Sequence, residues 1–78
     1  MKENNDIAAC IRGALETYFH DLDGETPSGI YEMVLKSVER PMIEVTLRHA
    51  GGNQSLAAEM LGINRNTLRK KINEHRLP

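Results

Sequence analysis

Apolar residues recur through the first third of the chain in alternating steps of three and four: Ile7, Cys10, Ile11, Ala14, Leu15, Tyr18, Phe19 and Leu22. That spacing lays one continuous apolar stripe along a helix and predicts a first helix over about 6–21. Asn5 or Asp6 can cap its first turn, because a short polar side chain there accepts from an orphan N–H. Gly13 is a mild interior penalty. Asp23-Gly24-Glu25-Thr26-Pro27 then reads as a turn. Ser28 is placed to cap a second helix over about 28–50. The main stripe of that helix is Ile30, Val34, Val38, Pro41, Met42 and Val45. Tyr31, Met33, Leu35, Ile43 and Leu47 widen it to most of the circumference. A helix apolar nearly all round is buried, and one neighbouring helix cannot cover it. In a chain of 78 residues the cover has to come from a second copy. Pro41 lacks an N–H and crowds the preceding turn. The periodicity resumes in phase after it, which predicts one kinked helix; the rival is two helices meeting near Arg40.

The pattern changes after Ala50. Gly51-Gly52 ends the second helix, and Asn53 caps a third over about 54–61. Gly62 supplies a left-handed turn residue that a Cβ would penalise. Asn64 caps a fourth helix over about 65–75. Ala57 and Ala58 are small where two helices must approach closely, and Leu61, Ile63, Leu68 and Ile72 form the seam between them. No strand-period alternation occurs. The fold class is all-α: a four-helix subunit, with the last two helices a helix-turn-helix. One structural domain is expected, with dimerisation helices in 1–50 and the helix-turn-helix in 51–78.

Charge sharpens this division. Residues 1–50 hold five Lys/Arg and nine Asp/Glu, a net of −4, whereas residues 51–78 hold five and two, a net of +3. A basic end on an acidic body is a sign of localised anion binding. On the fourth helix, Leu68 and Ile72 mark the buried face. Arg65, Asn66 and Arg69 lie off it, and Lys70 and Lys71 flank it. Arg65 stands at the helix start, where a guanidinium can pair with guanine O6 and N7. Asn64 can contact a base edge or serve as the cap. Thr67 and Ser55 offer hydroxyls to phosphates, and the N–H groups near Asn53 and Gln54 form an anion site at the start of the third helix. A capped basic helix following Ala-Ala-x-x-x-Gly has the elements of a groove-reading helix, so double-stranded DNA is the expected partner.

The remaining chemistry is sparse. Cys10, His20, His49 and His75 show no paired ligand spacing, so no metal or cofactor is expected. Cys10 is the only cysteine, which excludes a disulfide within the chain, and it reads as a core or dimer-contact residue. His20 and His49 are helix-end residues, and His75 could touch a phosphate. Asp21, Asp23 and Glu25 form a solvated acidic loop, too short in ligands for calcium. No nucleophile or paired-carboxylate arrangement suggests an enzyme. No signal peptide is visible, and no segment approaches the roughly 18 apolar residues of a membrane span. A soluble, cytoplasmic protein without a membrane partner is expected. At this length extra stabilisation is needed, and oligomerisation is the form left open.

Gly52-Asn53-Gln54-Ser55-x-Ala57-Ala58-x-x-Leu61-Gly62-Ile63-Asn64-Arg65-x-Thr67-Leu68-Arg69-Lys70-Lys71 resembles the C-terminal signature of the Fis family of nucleoid-associated DNA-bending proteins. The same module closes many NtrC-type regulators. Upstream, Ala14-Leu15-x-x-Tyr18-Phe19, Leu22-x-Gly24, Tyr31-Glu32-x-Val34-Leu35 and Val38-Glu39-x-Pro41 extend the likeness over about residues 7–75. The resemblance implies a homodimer intertwined through the first two helices, its core containing Ile11, Leu15, Tyr18, Phe19, Val34, Val38, Met42 and Val45. It implies that Arg65 and Asn64 contact bases, while Asn53, Gln54, Ser55, Thr67, Arg69, Lys70 and Lys71 hold the backbone. Paired reading helices closer together than one turn of straight DNA would bend it and favour a deformable A/T-rich centre. Transcription and nucleoid organisation are the implied roles, and Pro41 matches the family's kinked-helix proline.

Departures matter too. Only six residues precede the first helix, so the longer arm with which enteric members contact DNA invertases is not expected, nor is recombination activity. Leu56, Asn73 and Glu74 stand where the enteric proteins are basic, which implies weaker binding with a shallower salt dependence. Two other readings fit the residues. One is the DNA-binding C-terminal fragment of an NtrC-type activator, although the Met1 start favours a stand-alone protein. The other is a dimeric protein-interaction module that no longer binds DNA.

Overall fold

The computed structural model describes residues 2–78, with side chains from residue 6 onward. It contains four helices in chain order: α1 (Lys2–Leu22), α2 (Ile30–His49), α3 (Gln54–Leu61) and α4 (Arg65–Glu74). There is no strand among the described residues. The chain divides into two compact units, one ending at Ile30 and one running from Tyr31 to Pro78.

The first unit is α1 with the turn after it. The helix starts at Lys2, about a turn earlier than its expected cap. Nothing in Lys2-Glu3-Asn4-Asn5-Asp6 breaks a helix, and Asp6 suits the first turns of a helix, near the positive end of its dipole. Asn5 and Asp6 therefore lie inside α1 rather than capping it. None of its described residues is buried. The half-buried ones, Ala8, Ile11, Leu15, Tyr18 and Leu22, keep the three-four spacing that the apolar pattern requires. Ile7 and Phe19 stay well exposed. The rings of Tyr18 and Phe19 meet edge-on, with centroids 6.1 Å apart.

The second unit carries the packed core. Helix α2 begins at Ile30 rather than at Ser28, because Gly29 has φ +81° and a helix cannot be propagated through that conformation. It then continues unbroken through Pro41, so the one-helix expectation holds. Pro41 offers no N–H to the carbonyl of Ser37. On either side of it, the hydroxyls of Ser37 and Thr46 donate to the carbonyls of Met33 and Met42, each at 2.7 Å. The face of α2 that packs within the chain is Ile43, Leu47 and the following Ala50, not the main stripe. Met42 and Val45 remain about half exposed.

Ile43, Leu47 and Ala50 join Ala57 and Ala58 of α3, Leu68 and Ile72 of α4, and Leu77. Leu68 and Ala57 have no exposed surface. Three of these eight core residues are alanines. Burial of a large aliphatic side chain contributes about 1.5–3 kcal/mol, so this core is small.

Nothing in the apolar pattern marks Leu77 as a core residue. It reaches the core because the chain reverses at Arg76 (φ +55°), with Leu77 N–H donating to Ile72 C=O at 2.9 Å and Arg76 N–H donating to Asn73 C=O at 3.1 Å. This is a Schellman closure, with its usual apolar contact after the turn.

Candidate nucleic-acid interface

Two asparagines and a glycine set the angle between α3 and α4. Asn53 (φ −80°, ψ 105°) accepts from the Leu56 N–H at 3.1 Å and so caps α3. Gly62 closes α3 at φ 77°, and the Ile63 N–H reaches back to the Ala58 carbonyl at 3.0 Å. That left-handed residue strains any side chain but glycine. Asn64 (φ −68°, ψ 142°) then accepts from the Asn66 N–H at 2.7 Å and starts α4. In both caps the amide oxygen is occupied, which leaves the NH₂ group free to donate to an outside acceptor.

Leu68 and Ile72 turn one face of α4 inward, as their spacing requires. Arg65, Asn66, Thr67, Arg69 and Lys70 all lie exposed on the rest of the helix. Among the described residues, no carboxylate lies within ion-pair distance of Arg65, Arg69 or Lys70. The Arg65 guanidinium donates to the Ser55 hydroxyl at 3.3 Å, which joins the start of α4 to the start of α3. Asn53, Gln54 and Ser55 thus sit at the same end of the helix pair as Asn64 and Arg65. Gln54 is half-buried, and the other four are exposed.

Lys71 is placed differently. It is half-buried and turned toward α2, with its Nζ 3.1 Å from Glu39 Oε2 and 3.8 Å from Glu74 Oε1. His75 Nε2 lies 2.8 Å from the other oxygen of Glu39. The Arg40 guanidinium donates to the His75 carbonyl. The hydrogen bond with His75 holds the Glu39 carboxyl below its ordinary range, burial opposes this, and Lys71 adds to the lowering. Glu39 in turn raises the Lys71 ammonium above its ordinary range. His75, which by its position near the basic end could touch a phosphate, thus faces a carboxylate of its own chain. The sequence pattern does not assign Glu39 or Arg40 to this region. They lie more than 30 positions before their partners, and no local pattern links them.

The arrangement offers a capped helix bearing three cations without an ion-pair partner among the described residues, and several free donors. That chemistry suits a polyanion whose edges accept hydrogen bonds. It provides no nucleophile beside a base, and the described residues contain no cluster of three potential metal ligands.

The family model described as "Bacterial regulatory protein, Fis family" matches residues 34–75. A protein of Ralstonia nicotianae described as Fis-like and DNA-binding is 59% identical over 73 residues, covering 94% of this chain and 95% of that protein. One of Neisseria meningitidis serogroup A with the same description is 56% identical over 72 residues, covering 92% and 91%. The DNA-binding protein Fis of Glaesserella parasuis is 46% identical over 65 residues, covering 83% of this chain and 66% of that protein. The first two therefore match almost end to end, whereas about a third of the last lies outside the match.

Proposed function

The chain belongs to the Fis family of bacterial regulatory proteins, and from that premise we propose that it is a non-enzymatic homodimer that binds and bends double-stranded DNA through α4. One observation carries the reading: Arg65, Arg69 and Lys70 are exposed and unpaired on a helix whose start is capped and whose opposite face is buried. Arg65 stands at the reading end, where a bidentate pair with guanine carries about 1–3 kcal/mol of discrimination. Asn64 adds a base contact through its free NH₂ group. Asn53, Gln54, Ser55, Thr67, Arg69 and Lys70 hold phosphates. Lys71 joins them from the edge of the helix, sharing its ammonium between the backbone and Glu39.

The homodimer is supported by apolar surface that the chain does not cover. Phe19, Met42 and Val45 are exposed, and Ile11, Leu15, Tyr18, Val34 and Val38 are only half-buried. A second copy supplies the missing cover and a second reading helix, and two-fold symmetry gives two half-sites. Bending follows from the family resemblance, with an A/T-rich centre selected by its deformability. The product is a regulator of transcription and nucleoid organisation, working where the bacterial chromosome lies. No helix among the described residues is long and apolar enough to cross a membrane.

A gel-shift series against palindromic and random-sequence duplexes tests this. The native protein is expected to bind both, the guanine-containing palindrome more tightly, with affinity falling as salt rises. Absence of a shift on any duplex at low salt would overturn the reading.

A further inference from the structure

Lys71 and His75 are four residues apart, so they project from one side of α4. Glu39 receives both, one on each carboxylate oxygen, at 3.1 and 2.8 Å. Arg40, the next residue of α2, holds the carbonyl of His75. One turn further along α2, Ile43 enters the core beside Leu68 and Ile72. Helix α4 is therefore tied to α2 twice, by an apolar contact and by a polar clamp. An apolar contact tolerates sliding and rotation, because the hydrophobic effect is not directional. A carboxylate holding a separate donor on each oxygen does not.

We infer that Glu39 is a positioning residue for DNA recognition: by holding Lys71 and His75 it fixes the orientation of α4 on α2, and so the separation of the two reading helices in the dimer. The inference rests on the DNA-binding homodimer proposed above. In such a dimer α2 carries part of the intersubunit contact, and α4 reads the groove. Any rotation of α4 on α2 is doubled across the two-fold axis and changes the half-site spacing that fits. The clamp also has an electrostatic consequence. Glu39 occupies the Lys71 ammonium, so this cation is only partly offered to a phosphate. The carboxylate therefore lowers general affinity while it sharpens geometry. A residue that served stability alone would not act in opposite directions on these two quantities.

The test uses the full chain and a set of palindromic duplexes. In these, two guanines flank A/T-rich centres of stepwise increasing length, and a random-sequence duplex serves as reference. The native protein is expected to prefer one spacing by at least about tenfold over a centre two base pairs longer. Glu39→Gln should flatten this preference to about twofold. It should also bind the random duplex as tightly as the native protein or up to about fivefold more tightly, because a repulsive charge is removed and Lys71 is released. Lys71→Met should flatten the preference similarly, and the double variant no further, since both act through one contact. An unchanged spacing preference in Glu39→Gln would overturn the inference. So would additive losses of spacing preference in the double variant, or a loss in Glu39→Gln that is equal on all duplexes. A native protein that binds no duplex would overturn the DNA reading and the inference together, which distinguishes that failure from the others.

Discussion

The helix-turn-helix and the helices before it solve the stability problem in different ways. Between Asn53 and Leu77, each helix end is closed within the chain: by two asparagine caps, the turn at Gly62 and the reversal at Arg76. The inward residues of this segment find their partners on α3, α4 and one face of α2. Helix α1 and the rest of α2 show the opposite pattern. Their apolar residues keep a regular helical spacing yet remain exposed or half-buried. A long amphipathic helix draws most of its stability from packing, and in the proposed homodimer a second copy finishes this surface. The reading segment is thus specified locally, and under that proposal the rest is specified by assembly.

The largest expected effect comes from breaking the local side. Leu68→Ala removes a fully buried residue from a core of eight, and such truncations cost about 2–5 kcal/mol. In a unit this small that should abolish cooperative unfolding in urea and every DNA complex. Retention of a sharp unfolding transition near the native midpoint would show that the core is shared more widely than the contacts indicate.

Arg65→Ala comes next and separates reading from folding. Among the described residues, the one hydrogen bond of its exposed side chain is to Ser55 at 3.3 Å, so the unfolding midpoint should stay close to native. Binding to guanine-containing sites should weaken by about 1–3 kcal/mol, with a smaller loss on random duplex. Equal losses on both would make Arg65 a phosphate contact.

Asn64→Ala removes the α4 cap, at a cost of about 0.5–2 kcal/mol. Urea unfolding measures that cost. It should fall in the same range as for Asn53→Ala, because each cap satisfies one N–H, at 2.7 and 3.1 Å respectively.

The pH dependence is the mildest test. The carboxyl of Glu39 is lowered in the folded state by its hydrogen bond with His75, against burial, and by Lys71. Its contribution is present above the ordinary carboxylate range and is lost as pH falls through the folded value. Lys71 is raised by the same Glu39, so its contribution is present below the ordinary lysine range and is lost as pH rises through its folded value. The pair is partly exposed, and its effect on stability is small. Thermal unfolding at steps from pH 6 to pH 3 should show the native protein losing an advantage over Glu39→Gln as the pH falls. A constant difference across that range would mean that the clamp does not stabilise the folded state.

How far the structure was legible follows the same division. The bounds of α3, the start of α4 and the left-handed turn at Gly62 could be read directly, because each depends on two or three neighbouring residues. The starts of α1 and α2 could not. Asp6 and Ser28 have cap chemistry, but nothing before Asp6 stops a helix, and Gly29 takes a conformation that delays one. On α2 the apolar residues surround the helix, so periodicity alone could not separate Ile43 and Leu47, which pack in the chain, from Met42 and Val45, which do not. The Glu39 cluster and the return of Leu77 depend on long-range geometry and on a left-handed arginine, neither of which has a local signature.

In the proposed homodimer a locally complete reading unit works only as one of two copies on DNA. Sedimentation of the free protein and of its complex with one palindromic duplex tests it most directly. About twice the 8.8 kDa chain mass is expected for the free protein, with two chains per duplex. A free mass near 8.8 kDa at micromolar concentration, with one chain on each duplex, would contradict it.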